Sequence, residues 1–121
     1  MPHDPRKLLE DIQQATRRLQ AFTANVVADD YYANELLQSA VERQFEIAAE
    51  ALNRLLKLTP DIAQRFTDYR RIIDFRNLLS HGYDLIDPVI VWGVIEKDVP
   101  VLHRETEALL TSLKEPPTLH P

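Results

Sequence analysis

Apolar residues recur along most of the chain at intervals of three and four, the spacing that lays one face of a helix against a core. Asp4-Pro5 supplies a capping side chain followed by a proline with a helical φ, and Leu8, Leu9, Ile12, Ala15, Leu19 and Phe22 then share a stripe. This predicts a first helix over about residues 5–24. Asn25 to Ala33, with Asp29-Asp30, reads as a connection. Asn34 can cap a long central helix reaching about Leu58, on which Leu36, Leu37, Ala40, Val41, Ile47, Ala48, Ala51, Leu52 and Leu55 cover an arc of roughly 200°. An arc that wide needs cover on two sides, and the small residues Ala40, Ala48, Ala49 and Ala51 let antiparallel neighbours approach closely.

Thr59-Pro60-Asp61 repeats the cap-and-proline signal and starts a short helix through about Phe66. A further helix runs from Tyr69 or Arg70 to His81, with Gly82 as its stop. Asp87-Pro88 opens the last helix, where Val89, Val91, Trp92 and Ile95 are apolar; Pro100 either kinks it or separates it from a final segment reaching Leu113. Phe75 and Trp92 read as core aromatics. Glu115-Pro116-Pro117 begins a frayed tail, which divides the chain into a helical domain over 1–114 and a tail over 115–121.

Composition narrows the class. With 121 residues, two glycines and 45% hydrophobic residues, the expectation is one all-α domain, an antiparallel bundle of about five helices around a single core. The absence of cysteine excludes a disulfide framework, a thiolate nucleophile and cysteine-based zinc or iron–sulfur sites. Met1 to Arg6 leads into the first helix without an apolar signal region, and no stretch approaches the roughly 18 apolar residues of a membrane span, so the protein is expected to be cytoplasmic, with no membrane partner. A net charge of −5 argues against a general nucleic-acid binder and, alone, favours a protein partner. Arg70, Arg71 and Arg76 offer a local basic patch, opposed by Asp74 and Asp84, so affinity for long RNA should be modest and salt-sensitive.

The candidate chemistry is concentrated in Arg76-Asn77-Leu78-Leu79-Ser80-His81-Gly82-Tyr83. Helical steps of about 100° put Ile72, Phe75 and Leu79 on one arc and Arg76, Asn77, Ser80 and His81 mostly on the opposite one, so the polar set is expected to face away from its own core. His81 has the one side chain near the motif whose ordinary pKa permits proton transfer at neutral pH, from a ribose 2′-hydroxyl or to a 5′-oxygen leaving group; the plainer role is a cap on its helix end. Arg76 carries a planar fork suited to phosphate and to transition-state charge, or else forms a surface ion pair with Glu50 or Glu46 of the central helix. Asn77, four residues from His81, can orient the imidazole or donate to a phosphate oxygen, or compete for backbone groups near the helix end. Ser80 is a minor donor or a solvated serine, and Tyr83 a base-stacking or half-buried aromatic. Arg76 and His81 are about 140° apart on an ideal helix, so one copy of it cannot easily clamp a single phosphate, whereas two copies can.

The Arg-x4-His spacing followed by x-Tyr resembles the signature of the HEPN superfamily, and the flanking sequence is similar to its HepT branch. Ala40 to Leu56 looks like that branch's long second helix, and Ile90-Val91-Trp92 with Asp98-Val99-Pro100 like its last helix. The resemblance implies a homodimer, or a higher assembly, in which two motif helices meet across a two-fold axis and form one cleft. It implies the toxin of a type VII (HEPN/MNT) toxin–antitoxin system, a metal-independent endoribonuclease acting on RNA through Arg76, His81 and Asn77, with Ser80 and Glu50 auxiliary. It further implies a minimal nucleotidyltransferase antitoxin that adenylylates Tyr83, placing bulk and negative charge beside Arg76 and His81. The alternative is a non-catalytic helical subunit of a two-component nucleotidyltransferase, holding a nucleotide or substrate for its partner.

Other chemistries find less footing. Glu42, Glu46 and Glu50 recur every four residues, but no complementary Glu-x-x-His pair accompanies them, and Arg43 and Arg54 stand ready as ion-pair partners, so no metal site is expected. His3, His103 and His120 are scattered and expected in solvent. There is no Gly-rich phosphate loop and no Gly-x-Ser-x-Gly elbow, so no cofactor is implied and ATP-driven chemistry by this chain alone is not expected.

Overall fold

The computed structural model describes residues 4–81 and 86–114, with Leu78, Ser80, His81 and Lys114 described by backbone alone. Five α-helices follow in order, α1 (Pro5–Thr23), α2 (Ala28–Tyr32), α3 (Glu35–Leu58), α4 (Tyr69–His81) and α5 (Pro88–Lys114), with a 3-10 helix over Pro60–Arg65 between α3 and α4. Among the described residues there is no strand. The all-α bundle expected from the periodicity is the observed architecture.

Helix starts follow the local chemistry. Asp4 accepts a hydrogen bond from the Arg6 N–H at 2.9 Å ahead of Pro5, Asn34 accepts from the Leu37 N–H at 3.0 Å, and Asp87 accepts from the Val89 N–H at 2.9 Å ahead of Pro88. Thr59 makes no such side-chain bond, and the short segment after it winds as a 3-10 helix, the tighter form usual in brief connectors. Pro100 does not divide the last element: α5 continues through it to Lys114.

α3 is the centre of the packing, flanked by α1 on one side and α4 on the other, while α5 lies along α1. Val41, Phe45, Ala48, Ala49, Ala51, Leu52 and Leu55 are its buried residues. Leu36, expected on the apolar arc, is 82% exposed. At 100° per residue it falls roughly 150° from the middle of the buried arc, on the polar stripe of Arg43 and Arg54, so the covered arc is narrower than the apolar residues alone suggest. On α4, Ile72, Phe75 and Leu79 are buried, and the Phe75 ring meets Phe45 edge-on with centroids 5.1 Å apart.

Two stretches depart from the sequence reading. The expected connection after α1 contains α2, a single turn that carries Tyr31 into the core against Trp92, ring centroids 5.2 Å apart. Asn25, at φ 62°, turns the chain out of α1, and the Gln38 amide donates to the Tyr31 and Tyr32 carbonyls at 2.9 and 3.0 Å, satisfying the exposed end of so short a helix. His103, expected in solvent, has a side chain only 17% exposed; its Nδ1 lies 2.7 Å from the buried Thr16 hydroxyl and its Nε2 3.6 Å from Glu107, which joins α5 to α1. No helix among the described residues is long and apolar enough to cross a membrane.

The α4–α5 seam is polar. Asp98, 8% exposed, faces Arg71 across 3.1 Å, and Glu105 accepts from the Thr67 N–H at 3.0 Å. Burial raises the Asp98 carboxyl above its ordinary pKa; Arg71 opposes that shift and Asp68 adds to it. A carboxyl raised in the folded state favours folding where it is protonated, and that contribution is lost as pH rises through its folded pKa. Arg71→Ala removes the cation that eases Asp98 ionisation, so it should destabilise the protein by about 1–2 kcal/mol at neutral pH, the loss shrinking as pH falls towards 3.8. Urea denaturation across that range checks it; a loss that grows in acid would contradict it. Among the described residues the buried Tyr31 hydroxyl has no partner, and such a group costs about 1–3 kcal/mol, so Tyr31→Phe should raise the denaturation midpoint. A fall would show that the hydroxyl is satisfied.

Candidate functional site

An open cleft of about 310 Å³ runs along the polar stripe of α3 between α1 and α4. Arg43, Glu46, Glu50 and Arg54 form its floor, Leu8 and Asp11 one wall and Arg76 the other. The floor residues follow each other at steps of three and four, so they stand in one row on the helix. They lie on the polar side of α3, away from the middle of its buried arc, and Arg76 reaches Glu50 there across 2.7 Å.

Charges in the cleft are interlocked. Glu50 lies between two guanidiniums: its Oε1 is 2.7 Å from Arg76 Nη2, and its Oε2 accepts from Arg54 Nε at 2.9 Å. Asp11 is held by Lys7 at 2.9 Å, a hydrogen bond that raises the lysine above its ordinary pKa. Arg43 and Glu46 stand farther apart, at 3.9 Å, with the Arg43 side chain 69% exposed.

Arg76 is not turned away from the core, as its place in the motif suggested. Its side chain is 30% exposed and reaches across the seam to α3. Relative to the middle of the Ile72–Phe75–Leu79 arc it sits about 70° round the helix, an edge position, whereas Asn77 sits about 170° round and is exposed. Treating the two as one polar face merged a seam residue with a solvent residue. They still touch, Arg76 Nη1 donating to the Asn77 amide oxygen at 3.3 Å. With one donor directed to Glu50 and one to Asn77, the guanidinium retains N–H groups for an incoming oxyanion.

His81 is the last residue of α4. Its side chain and that of Ser80, together with Gly82, Tyr83 and Asp84, lie outside the described residues, so the proposed pairing of Asn77 with His81, the Gly82 stop and the environment of Tyr83 have no geometry to report. His3, His120 and the 115–121 tail also lie outside them.

The expected Arg70–Arg71–Arg76 patch does not form. Arg71 turns to Asp98 on α5 and Arg76 to Glu50 on α3, while Arg70 donates to the Tyr69 hydroxyl at 3.2 Å with its guanidinium 5.7 Å from that ring's centre. Three arginines within seven residues of a helix point in three directions. The basic groups near Arg76 are instead Arg43 and Arg54, which the sequence reading took as ion-pair partners of the central helix; they do form those pairs, but in the cleft. Their spacing with Glu46 and Glu50 sets that row, and the plainer role named for Arg76, an ion pair with Glu50 of the central helix, is the contact observed.

Glu42, Glu46 and Glu50 do not converge. Glu46 and Glu50 face arginines, and the Glu42 carboxyl is raised above its ordinary pKa by burial first and by Glu46 second. Among the described residues no three His, Cys, Asp or Glu side chains group so as to hold a metal ion.

The family described as Ribonuclease HepT-like matches residues 12–109, which include all of α3 and α4. The "Probable ribonuclease HepT" of Thermococcus cleftensis is 29% identical over 113 residues, covering 90% of this chain and 98% of its own. The "Putative RNase MJ1380" of Methanocaldococcus jannaschii is 27% identical over 106 residues, covering 86% and 94%. "Putative RNase TTE0752" of Caldanaerobacter subterraneus is 27% identical over 110 residues, covering 91% and 97%. No solved structure matches the chain. The family match spans most of the sequence, including all of α3 and α4, and the chain therefore belongs to the HepT-like ribonuclease family.

Proposed function

We propose that the protein is a metal-independent endoribonuclease of the HepT type, the toxin of a type VII toxin–antitoxin pair, acting as a homodimer with Arg76, Asn77 and His81 at its site. The observation that carries this reading is the Arg76 fork, held by Glu50 at the edge of a cleft in a chain of the ribonuclease family. A guanidinium fixed by a carboxylate behind it presents its remaining donors in a set direction, which is how charge developing on a phosphate is stabilised without reorganisation.

In the proposed reaction His81 takes the proton from a ribose 2′-hydroxyl. The 2′-oxygen bonds to phosphorus, the bond from phosphorus to the 5′-oxygen breaks, and that oxygen receives a proton, leaving a 2′,3′-cyclic phosphate and a 5′-hydroxyl. Arg76 carries the charge on the phosphate oxygens, and Asn77 positions His81 or donates to the same phosphate. Because residues 76 and 81 are about 140° apart on α4, two copies of that helix, one from each subunit, serve one phosphate better than a single copy does. Tyr83, two residues past the end of α4, is the proposed site of adenylylation by a nucleotidyltransferase antitoxin; the added phosphate would repel RNA and occupy Arg76.

A second reading, a nucleotide-binding helical subunit without turnover, is favoured by the net charge of −5 and by the equal numbers of acidic and basic side chains lining the cleft. The two separate cleanly. Expressed alone in a bacterial host, the wild type should halt growth and degrade RNA, and His81→Ala should do neither, its cleavage rate falling by about a hundredfold or more; a harmless wild type that binds nucleotide would leave the second reading. Arg76→Lys keeps the charge and loses the fork, so kcat/KM should fall at least about tenfold with the fold intact, as checked by circular dichroism and an RNA cleavage assay. Undiminished activity would remove Arg76 from the mechanism.

A further inference from the structure

Arg43 has no part in the chemistry above, yet it lines the same cleft as Arg76. It stands seven residues before Glu50 on α3, two helical turns and about 10 Å of rise, on nearly the same line. The row from Arg43 to the Glu50–Arg76 pair therefore has a cation at either end, with Glu46 between them.

The cleft's ion pairs are unequal. Arg76 to Glu50, Arg54 to Glu50 and Lys7 to Asp11 are all within 2.9 Å, whereas Arg43 and Glu46 are 3.9 Å apart and the arginine is largely in solvent. A long, exposed pair of this kind contributes little to stability, so an incoming anion can replace Glu46 at Arg43 with little loss. At Arg76 an anion must instead use the N–H groups that Glu50 and Asn77 leave over. Of the apolar residues around the cleft, Leu8 and Ala51 are buried and Ile47 is half-buried, so its accessible groups are mainly the charged ones. At about 310 Å³ the cleft is at the small end for ligand sites, which suits an open strand laid across it more than an engulfed molecule.

We propose that Arg43 binds the RNA backbone: with the scissile phosphate at Arg76, a neighbouring phosphate of the same strand docks on Arg43 in place of Glu46. The assignment rests on the ribonuclease reading for which phosphate sits at Arg76. It makes the α3 row a strand track, sets the direction in which RNA crosses α4, and explains how an acidic chain meets a polyanion through a narrow line of guanidiniums.

Binding of a short single-stranded 2′-O-methyl RNA, which cannot be cleaved through its 2′-oxygen, tests this by fluorescence anisotropy over a salt series. Each phosphate contact on a single strand contributes about 0.7 to the slope of log K against log salt, so Arg43→Ala should bind more weakly at low salt with a slope shallower by about that amount. Arg43→Lys should keep most of the slope, and Arg104→Ala, an exposed cation on α5 outside the cleft, should keep all of it. Melting curves confirm that each variant is folded. The proposal is overturned if Arg43→Ala binds with the wild-type slope, if the wild type does not bind the strand, or if Arg43→Ala weakens AMP as much as RNA, which would make the cleft a mononucleotide site. Unmodified RNA in parallel keeps the two claims apart: a strand that stays intact while the Arg43 slope effect holds would end the ribonuclease reading and leave the strand contact standing.

Discussion

One carboxylate ties Arg76 of α4 to the central helix. Glu50 projects from the polar side of the central helix and takes Arg54 on one oxygen and Arg76 on the other. Its partial exposure matters: a fully buried pair would carry a desolvation penalty close to its Coulombic gain, and a fully exposed one would be screened and mobile. At the seam the pair is sheltered enough to hold a direction and open enough to meet a ligand. Arg76 can do this because residue 76 lies on the shoulder of the α4 core arc, whose centre is anchored by Phe75 against Phe45.

The hydrophobic packing behind that seam explains why the site has a stable frame. α3 is covered by α1 and α4, and α5 closes the bundle over α1 with Trp92 on Tyr31. Polar contacts then fix the order of the outer helices: Asp98 with Arg71 between α5 and α4, and Thr16 with His103 between α1 and α5. The charges left over on α3 form the cleft floor, and their pairing with one another keeps a chain of net charge −5 from presenting an unbroken acidic surface there.

Most of the architecture was legible because its causes are local. Asp4, Asn34 and Asp87 act at helix starts through their own side chains, and the Ile72–Phe75–Leu79 stripe needs only helical periodicity to be seen. What was hidden depends on neighbours. α2 exists because Tyr31 finds Trp92 far along the chain, and its residues carry no extended apolar pattern. His103 leaves solvent because Thr16 offers a buried hydroxyl from another helix. At the site, the motif Arg76–Asn77–His81 is visible as a string, and the spacing even offers Glu50 as an ion-pair partner of Arg76, but a string cannot distinguish a shoulder position from an outward one, nor show that the pair shares a cleft with Arg43. The likeness to HepT proteins points to α4, and the seam geometry shows how Arg76 is held.

In the proposed reaction RNA is cut by its own 2′-hydroxyl at a phosphate held on α4. The most direct measurement is the identity of the new ends made by the purified wild-type chain on a defined single-stranded RNA in the presence of a metal chelator. A 2′,3′-cyclic phosphate paired with a 5′-hydroxyl, and no cut where the nucleotide before the scissile bond is 2′-deoxy, is the predicted result. New ends bearing a 5′-phosphate, or a cut that survives the 2′-deoxy substitution, would contradict it.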